Sequence, residues 1–447
     1  MARRAAFGSF LGTAFEYLDF TMYAIVSAVI FSKVFFPATD PALASIGSVA
    51  TFGVAYIARP IGAFVLGPLG DRIGRQKVTL LTMIGIGTAT FLIGCLPGYQ
   101  TIGFAAPILL VILRLGQGFF VSGEQAGTST LTMEHAPSKR RAFFVSWVNV
   151  GTGVGTALGQ LLFIPILALP TDQLLSWGWR VPFLLSAVWT LIVILVRRTL
   201  RDSEAFIEAK KDGQLEKFPL RRLFVEYWPN LIRVVLCCLM AAPGSIVAVF
   251  VLFYATNTAH ISPSAYLGVS LATGLLSTFS IPFWAILADK IGRRPVFAGG
   301  LIIGAGMMFP LFLAVNTGNL LLVGVVALLG NIFIMAGQAL QLPMYTEMFP
   351  TSIRYSGVAV GTQLGYLLAG FAPTISFAIA GTGLNGWIPV AIFAALCLVI
   401  AAISSLTSRE TRGIMIDEID DGPSEARRPA AQATRLNSET SATVPEA

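Results

Sequence analysis

The sequence predicts an all-α integral membrane protein with twelve transmembrane helices. Hydrophobic residues make up 55% of its 447 residues, charged residues make up 12%, and the mean hydropathy is +0.76. A soluble domain is close to one-quarter charged, and a helix needs about 20 apolar residues to cross a bilayer. Twelve apolar runs of about this length lie between residues 6 and 407. The chain is therefore expected to cross the membrane repeatedly.

The basic residues predict the orientation of these helices. With the N-terminus inside, the inner loops carry basic groups such as those in 72–77, 139–141 and 290–294. The outer loops then carry Arg180, and Lys33 lies at the outer end of the first helix. Because basic residues concentrate in cytoplasmic loops, we expect both termini to be cytoplasmic.

A charged segment divides the twelve runs into two sets of six. We expect an N-terminal six-helix bundle at 1–197, a cytoplasmic amphipathic central loop at 198–229 and a C-terminal six-helix bundle at 230–408. The tail at 409–447 is acidic and then rich in Ser, Thr, Ala and Pro, so we expect it to be disordered and cytoplasmic.

An internal repeat supports this division. GPLGDRIGRQKV at 67–78 resembles AILADKIGRRPV at 285–296, and E-x-x-P-x-x-x-R occurs at 134–141 and again at 347–354. The two pairs occur in the same order, which indicates a duplicated six-helix unit and therefore two pseudo-symmetric bundles.

The composition argues against several classes of function. The two histidines, His135 and His260, are predicted to lie in loops, and the four cysteines form no CxxC pair, so neither a metal centre nor a catalytic set for an enzyme is expected. The net charge of +7 comes from basic residues in short loops between apolar runs, so we expect no nucleic-acid partner. A channel would more naturally contain re-entrant filter loops, and the tail is too short for a signalling domain.

Ionisable side chains inside the apolar runs mark a candidate site. The first run contains GTAFEYLDFTMY at 12–23, in which Glu16 and Asp19 share a helix face with Tyr23. A charged residue in the middle of a spanning helix costs about 2.5–3.5 kcal/mol on insertion scales, so such residues are usually functional. Arg59 and Arg114 lie in the second and fourth runs. Further polar side chains in the fourth, seventh, tenth and eleventh runs are Gln117, Glu124, Tyr254, Asn257, Gln338, Gln341 and Gln363.

These residues predict a proton site beside an anion site. Burial disfavours the charged form of a carboxylate and a nearby arginine favours it, so a balanced carboxylate can take up and release a proton. Asp19, Glu16 and Glu124 are the proton-coupling candidates. Arg114 and Arg59 are the leading substrate-binding candidates, and the other binding candidates are Tyr23, Gln117, Tyr254, Asn257, Gln338, Gln341 and Gln363. Two alternatives stay open: permanently ionised carboxylates that only hold helices together, and a gating role for Arg59.

The repeated motifs predict a charged gate on the cytoplasmic side. Its candidate members are Asp71, Arg72, Arg75, Glu134, Arg141, Asp289, Arg293, Glu347 and Arg354. Matched networks in the two halves suit an interface that breaks and re-forms as the halves rock. The alternative is a static anchor of topology.

The motifs resemble those of the major facilitator superfamily. Within it, E-x-x-D-F-x-x-Y (Glu16 to Tyr23), RPIGA at 59–63 and RLGQGFFVSGE at 114–124 resemble the metabolite:H⁺ symporters, which include carriers of shikimate, 2-oxoglutarate, citrate, and proline or betaine. The chain departs from many of these relatives at residues 17–18, Tyr-Leu instead of two aromatics. It also lacks the heptads of a C-terminal coiled coil, which argues against the osmosensing betaine branch.

The resemblance implies a proton-coupled symporter of the plasma membrane, the inner membrane of a bacterium, that works by alternating access. Two intramembrane arginines favour a small organic anion, a mono- or dicarboxylate, as the imported substrate. A zwitterion such as proline or betaine, and an exporter of the same fold, are the alternatives. We expect the substrate, the proton and the lipid bilayer as partners, no cofactor beyond the coupling proton, and a functional monomer.

Overall fold

The computed structural model describes residues 2–36, 41–197, 218–381 and 385–414. Helices are the regular secondary structure throughout these ranges. Within them, eleven helices are long and apolar enough to cross a membrane, and the 28-residue first helix, which carries Glu16 and Asp19, makes twelve. Most of the expected central loop (198–217) and of the expected tail (415–447) lies outside the described residues.

The first six spans form the N-terminal half. They are α1 (Ala2–Val29), α2 (Pro41–Ile73), α3 (Arg75–Cys95), α4 (Ala105–His135), α5 (Arg141–Leu167) and α6 (Arg180–Arg197). Short helices at Phe31–Val34, Tyr99–Ile102 and Thr171–Gln173, a 3₁₀ turn at Ser138–Arg140 and a π turn at Leu174–Gly178 lie in the connections.

The second six spans are more interrupted. A short helix, Pro219–Val225, precedes α7, which consists of Trp228–Cys237, a 3₁₀ turn at Cys238–Ala241, Ala242–Ile246, a π turn at Val247–Val251, and Leu252–Asn257. The others are α8 (Pro263–Thr278 and Ile281–Ile291), α9 (Arg293–Asn316), α10 (Leu320–Thr346), α11 (Arg354–Gly370 and Ala372–Ile379) and α12 (Ile388–Leu406). New segments of α7, α8 and α11 have a proline as their second residue (Pro243, Pro282 and Pro373), because proline has no backbone N–H to continue the ladder of the preceding segment.

The two halves repeat one packing scheme. In the first half α1 packs against α5, α2 against α4, and α3 against α6. In the second half α7 packs against α11, α8 against α10, and α9 against α12. The halves meet mainly where α2 packs against α11 and where α5 packs against α8 and α10. This arrangement matches the duplication that the sequence predicts.

Glycines allow the closest of these contacts. A Cβ atom at Gly155 of α5 would lie 2.1 Å from the carbonyl oxygen of Ala14 in α1, and one at Gly118 of α4 would lie 2.1 Å from the carbonyl oxygen of Ala55 in α2. Gly153 faces the opposite way, towards Thr278 of α8. Small residues of this kind let membrane helices approach through their backbones.

The α1–α5 contact gives a test of the packing. We expect Gly155→Ala to destabilise the protein by about 1–3 kcal/mol, because the new methyl group must displace the backbone of α1. Gly116→Ala is the matched control, since nothing lies within 4 Å of its Cβ position. Thermal unfolding of the purified variants in detergent measures the difference. Equal midpoints for the two variants would contradict the close contact.

Candidate functional site

Three buried carboxylates line one small cavity in the N-terminal half. The cavity has a volume of about 30 Å³ and lies among α1, α3, α4 and α6. Glu16, Asp19 and Glu124 are 5%, 9% and 0% exposed, respectively, and each contributes to its lining. A water molecule needs roughly 10–15 Å³ of such space, so the cavity has room for water beside the carboxylates. Within the described ranges, no group of three or more His, Cys, Asp or Glu side chains is placed to hold a metal ion.

Asp19 is joined to Arg114 by a chain of hydrogen bonds. The Thr90 hydroxyl of α3 donates to Asp19 Oδ2 at 2.9 Å. Gln117 Nε2 donates to the Thr90 oxygen at 2.6 Å, and Arg114 Nη1 donates to Gln117 Oε1 at 2.9 Å. All four side chains are buried. A buried cation and a buried carboxylate therefore belong to one network that runs through two neutral side chains.

The two intramembrane arginines stack on neighbouring aromatic rings. The Arg114 guanidinium carbon lies 3.8 Å from the Tyr23 ring centroid and 4.9 Å from that of Phe20. The Arg59 guanidinium carbon lies 4.6 Å from the Phe20 centroid and 4.3 Å from that of Tyr56. Such cation–π contacts stabilise a guanidinium away from bulk water. Phe20 therefore contacts both cations, and the Tyr23 hydroxyl donates to Thr51 at 2.6 Å.

A second polar network crosses between the halves. Tyr366 of α11 donates to Gln341 Oε1 at 2.8 Å, and Gln341 Nε2 donates to Asn149 Oδ1 of α5 at 2.8 Å. Gln341 Nε2 also donates to Gln338 Oε1 at 2.6 Å, and Asn149 Nδ2 donates to the Gln338 carbonyl at 2.7 Å. Tyr366 lies within electrostatic range of Glu16, Tyr17 and Arg59. This network therefore adjoins the charged group of the first half.

The remaining binding candidates occupy different places. Gln363 is buried one turn before Tyr366, and no donor among the described residues reaches its Oε1. Tyr254 and Asn257 lie in the last segment of α7, where Tyr254 donates to Asn316 at 2.7 Å and Asn257 donates to the Phe253 carbonyl at 2.9 Å. The structure thus gathers most candidates into two adjoining networks and places these last two at the end of α7.

At one end of the molecule, which we call the gate end, each half caps a helix of the other half. Asp71 accepts hydrogen bonds from the backbone amides of Tyr355 and Ser356 at 3.1 and 2.8 Å, in the first turn of α11. Asp289 accepts from the amides of Ala142 and Phe143 at 3.2 and 3.0 Å, in the first turn of α5. A carboxylate satisfies the free amides of a helix N-terminus and interacts favourably with its dipole.

Two buried ion-pair clusters complete the gate end. Glu134 pairs with Arg75 at 3.4 Å and with Arg354 of the other half at 3.1 Å. In the corresponding cluster, Glu347 pairs with Arg293 at 3.2 Å and with Arg141 of the other half at 3.8 Å. Arg72 is exposed. Eight of the nine gate candidates therefore meet in two matched groups that join the halves.

The glycines of the repeated turns have a backbone that few other residues adopt. Gly74 and Gly292 have φ angles of 114° and 116°. A side chain is strained at such angles, so the two turns that position Asp71 and Asp289 depend on glycine.

A short segment after α12 joins the same end. The Glu410 carboxylate accepts from the backbone amides of Arg293 and Arg294 at 3.0 and 3.1 Å, at the start of α9. The Thr411 hydroxyl is hydrogen-bonded to Glu347, and Arg141 donates to the Ile414 carbonyl at 2.7 Å. The Ile414 side chain packs against an apolar cluster from both halves: Met133, Val145, Val148 and Leu342. Residues 409–414, which the sequence assigns to the tail, thus have defined contacts across the two halves.

The carboxylate caps predict how the gate end can be opened. We expect Asp289→Asn to separate the halves at this end, because a neutral amide interacts more weakly with the first turn of α5. Spin labels at the exposed Lys139 and Lys290, with Cys95 replaced, measure the separation by double electron–electron resonance. The distances should lengthen in Asp289→Asn. They should not change in Asp172→Asn, which alters an exposed aspartate, and equal distances in all proteins would contradict the cap's role.

The segment after α12 gives a second test. A chain that ends at Ser408 loses the contacts of Glu410, Thr411 and Ile414, so the same label pair should report longer distances. A chain that ends at Ile414 keeps these contacts and is the matched control. If both truncated chains behave like the full-length protein, residues 409–414 do not hold the halves together.

Comparison with known proteins agrees with this architecture. Residues 9–373 match the family model described as Major Facilitator Superfamily. The chain is 38% identical to the shikimate transporter of Escherichia coli K12 over 419 residues, which cover 92% of this chain and 95% of the relative. It is 31% identical to the proline/betaine transporter of the same strain over 424 residues, which cover 92% and 84%. The resemblance to the metabolite:H⁺ symporters is thereby confirmed.

Solved structures show the same fold. The proton:xylose symporter bound to 6-bromo-6-deoxy-D-glucose superposes with a TM-score of 0.74 at 19% identity, covering 94% of this chain and 99% of that one. An inward-open structure of the xylose transporter from E. coli has a TM-score of 0.63 at 17% identity, with the same coverage. The prediction of twelve helices in two pseudo-symmetric bundles is confirmed. The chain belongs to the Major Facilitator Superfamily and is a multi-pass membrane transporter, not an enzyme.

Proposed function

We propose that this transporter is a proton-coupled symporter that imports a small organic acid, a mono- or dicarboxylate. The observation that carries the proposal is the buried chain from Arg114 through Gln117 and Thr90 to Asp19. It provides a permanent cation that can hold a carboxylate and a carboxyl group that can hold a proton, a few side chains apart. The relationship to a shikimate transporter supports the same class of substrate.

The aromatic contacts favour an acid over a betaine. A guanidinium is always charged in proteins and matches a carboxylate in two parallel hydrogen bonds. A quaternary ammonium group is usually bound on open aromatic faces, but guanidinium groups lie over the rings of Phe20, Tyr23 and Tyr56. A zwitterion such as proline or betaine is the second candidate, because the proline/betaine transporter is also a relative. Export remains the third, since the fold does not set the direction of flux.

The network between the halves suits neutral hydroxyl groups on the substrate. Asn149, Gln338, Gln341 and Tyr366 offer amide and hydroxyl groups, Tyr366 interacts electrostatically with Arg59, and Gln363 carries a buried amide oxygen that no described donor reaches. Groups of this kind recognise hydroxyls by donating and accepting hydrogen bonds. A hydroxylated acid would therefore contact arginine with its carboxylate and both halves with its hydroxyls.

Coupling follows from charge balance in the membrane interior. A substrate carboxylate on Arg114 or Arg59 competes with the protein carboxylates for the same positive charge, so the protein carboxylates then hold a proton more strongly. By linkage, a bound proton strengthens anion binding to the same degree. Asp19 is our first candidate for the proton site, and Glu16 and Glu124, on the same cavity, are the alternatives. We propose no cofactor beyond the proton.

We propose that the gate end faces the cytoplasm of a bacterial inner membrane. The start of α1 and the segment after α12 lie there, because Ser9 is hydrogen-bonded to Thr132 near the end of α4 and Ile414 accepts from Arg141. The basic loops at this end then satisfy the positive-inside rule. In this state the halves are joined at the cytoplasmic side, and import requires these contacts to break. One chain contains both halves, so we propose a functional monomer.

Proteoliposomes without an imposed gradient test the function. We expect external shikimate, or another small hydroxylated acid, to acidify the lumen, as read by a trapped pH-sensitive dye. Asp19→Asn should abolish the acidification because it removes the proton site, and Arg114→Gln should lower the initial rate at least about tenfold because it removes a charged contact. Protein-free vesicles and Asp172→Asn are the controls.

The outcomes separate the candidates. Acidification by proline or glycine betaine, but by no organic acid, would replace the acid with a zwitterion. Acidification that survives Asp19→Asn would move the proton to Glu16 or Glu124. Entry of a radiolabelled acid without any change of internal pH would contradict proton coupling.

A further inference from the structure

Thr90 of α3 occupies the junction between the carboxylate and the cation. Its side chain is fully buried, and its hydroxyl oxygen lies 2.6 Å from Gln117 Nε2, 2.9 Å from Asp19 Oδ2 and 3.0 Å from the carbonyl oxygen of Ile86. A threonine hydroxyl has one proton and two acceptor lone pairs. The oxygens of Asp19 and Ile86 therefore compete for one proton, while Gln117 occupies one acceptor position.

Both protonation states of Asp19 fit this arrangement of heavy atoms. An ionised Asp19 only accepts hydrogen bonds, so the Thr90 hydroxyl donates to it. A protonated Asp19 can instead donate to the second lone pair of Thr90, and the Thr90 proton then turns to the Ile86 carbonyl. In both states the Thr90 oxygen also accepts from Gln117. The Thr90 hydroxyl therefore has hydrogen-bond partners whether Asp19 is ionised or protonated. This avoids the cost of an unsatisfied buried polar group.

We propose that Thr90 is a positioning residue for proton coupling, whose hydroxyl turns between Asp19 and the Ile86 carbonyl as Asp19 loses and gains its proton. Gln117 connects the change to Arg114, because its amide nitrogen donates to Thr90 while its amide oxygen accepts from the guanidinium. The proposal rests on the proposed proton symport and assigns the route by which the substrate-binding cation responds to the proton.

Other ionisable groups lie on the helices that are packed around Asp19. They are Glu16 on α1, Arg59 on α2, and Arg114 and Glu124 on α4, with Tyr23 beside Arg114. The facing parts of the other helices are uncharged: α3 and α6 contribute Met83, Ile86, Gly87, Thr190 and Val193 to the cavity, and α5 presents Gly151, Gly155 and Gly159 to α1. None of these uncharged residues is hydrogen-bonded to both Asp19 and Gln117 as Thr90 is. Variants of Thr90 therefore test the effect of these two hydrogen bonds.

Thr90→Val tests the proposal, because valine keeps the shape and removes the hydroxyl. The ionised form of Asp19 then loses a donor, so Asp19 should hold its proton to a higher pH. We expect the pH midpoint to rise by about one to two units, which corresponds to one hydrogen bond to a charged group. Thr90→Ser keeps the hydroxyl and should restore the wild-type midpoint. Thr82→Val removes another buried hydroxyl of α3, one that donates to Thr79, and should leave the midpoint unchanged.

Infrared difference spectroscopy of the purified protein in lipid provides a readout that needs no substrate. The carboxyl band that disappears in Asp19→Asn identifies Asp19, and its intensity is followed as a function of pH. Uptake of radiolabelled shikimate, driven by a pH gradient, is measured in parallel and should fall in Thr90→Val more than shikimate exchange at equal pH. Thr90→Ala, which adds no atoms, replaces Thr90→Val if the valine protein does not fold.

The results separate the two proposals. A raised midpoint in Thr90→Val with recovery in Thr90→Ser supports the role of Thr90, even if shikimate causes no acidification and the proposed symport fails. Equal midpoints in wild type, Thr90→Val and Thr90→Ala would overturn it, even if wild-type symport is demonstrated. A shift of the same size in Thr82→Val would also overturn it, because the effect would then be a general loss of packing in α3.

Discussion

Burial of charge in a low-dielectric interior is the constraint that organises this transporter. A charged side chain inside a membrane is costly unless it faces a cavity or a partner, and Asp19, Arg114, Arg141, Arg293 and Arg354 are all buried. Arg114 is stacked on aromatic rings and joined to Asp19 through neutral side chains, whereas the arginines at the gate end meet carboxylates directly. The two arrangements have different consequences. Direct ion pairs at the gate end hold the two halves together, whereas the indirect linkage to Arg114 leaves the Asp19 carboxyl group able to change its charge.

The chemistry of the gate end explains how a buried interface can also open. Asp71 and Asp289 bind backbone amides in the first turn of a helix, and water can replace the carboxylate as the partner of such amides. Opening therefore exchanges one set of partners for another. The ion pairs behave differently, because removing one partner of a buried pair leaves an uncompensated charge and strongly destabilises the structure around it. Glu410 binds the amides at the start of α9, next to the Arg293 cluster, so the segment after α12 stabilises the same closed arrangement.

Features that repeat along the sequence, or that differ in character from the residues around them, can be predicted from the sequence. The hydropathy pattern predicts the twelve spans, the repeated D-[RK]-x-G-R turns predict the matched gate clusters, and Glu16 and Asp19 stand out in an apolar helix. Thr90, Asn149 and Glu410 carry no such signal. Threonine is common in apolar spans, a single asparagine forms no stripe on α5, and Glu410 lies in a segment whose composition predicts disorder. Their partners are distant in sequence, so their roles depend on contacts that one-dimensional periodicity does not contain.

The indirect linkage between Asp19 and Arg114 is also what allows one site to serve both proton and anion. If Arg114 were engaged fully by Asp19, the carboxyl group would stay ionised and the guanidinium would have little capacity left for a substrate. Gln117 accepts a hydrogen bond from one guanidinium nitrogen and donates to Thr90 through a neutral hydrogen bond, which is weaker than a charge-assisted one. Asp19 keeps a neutral donor, the Thr90 hydroxyl, that can turn away. The same three contacts therefore hold the cation in the membrane interior and allow it to respond to the substrate and the proton.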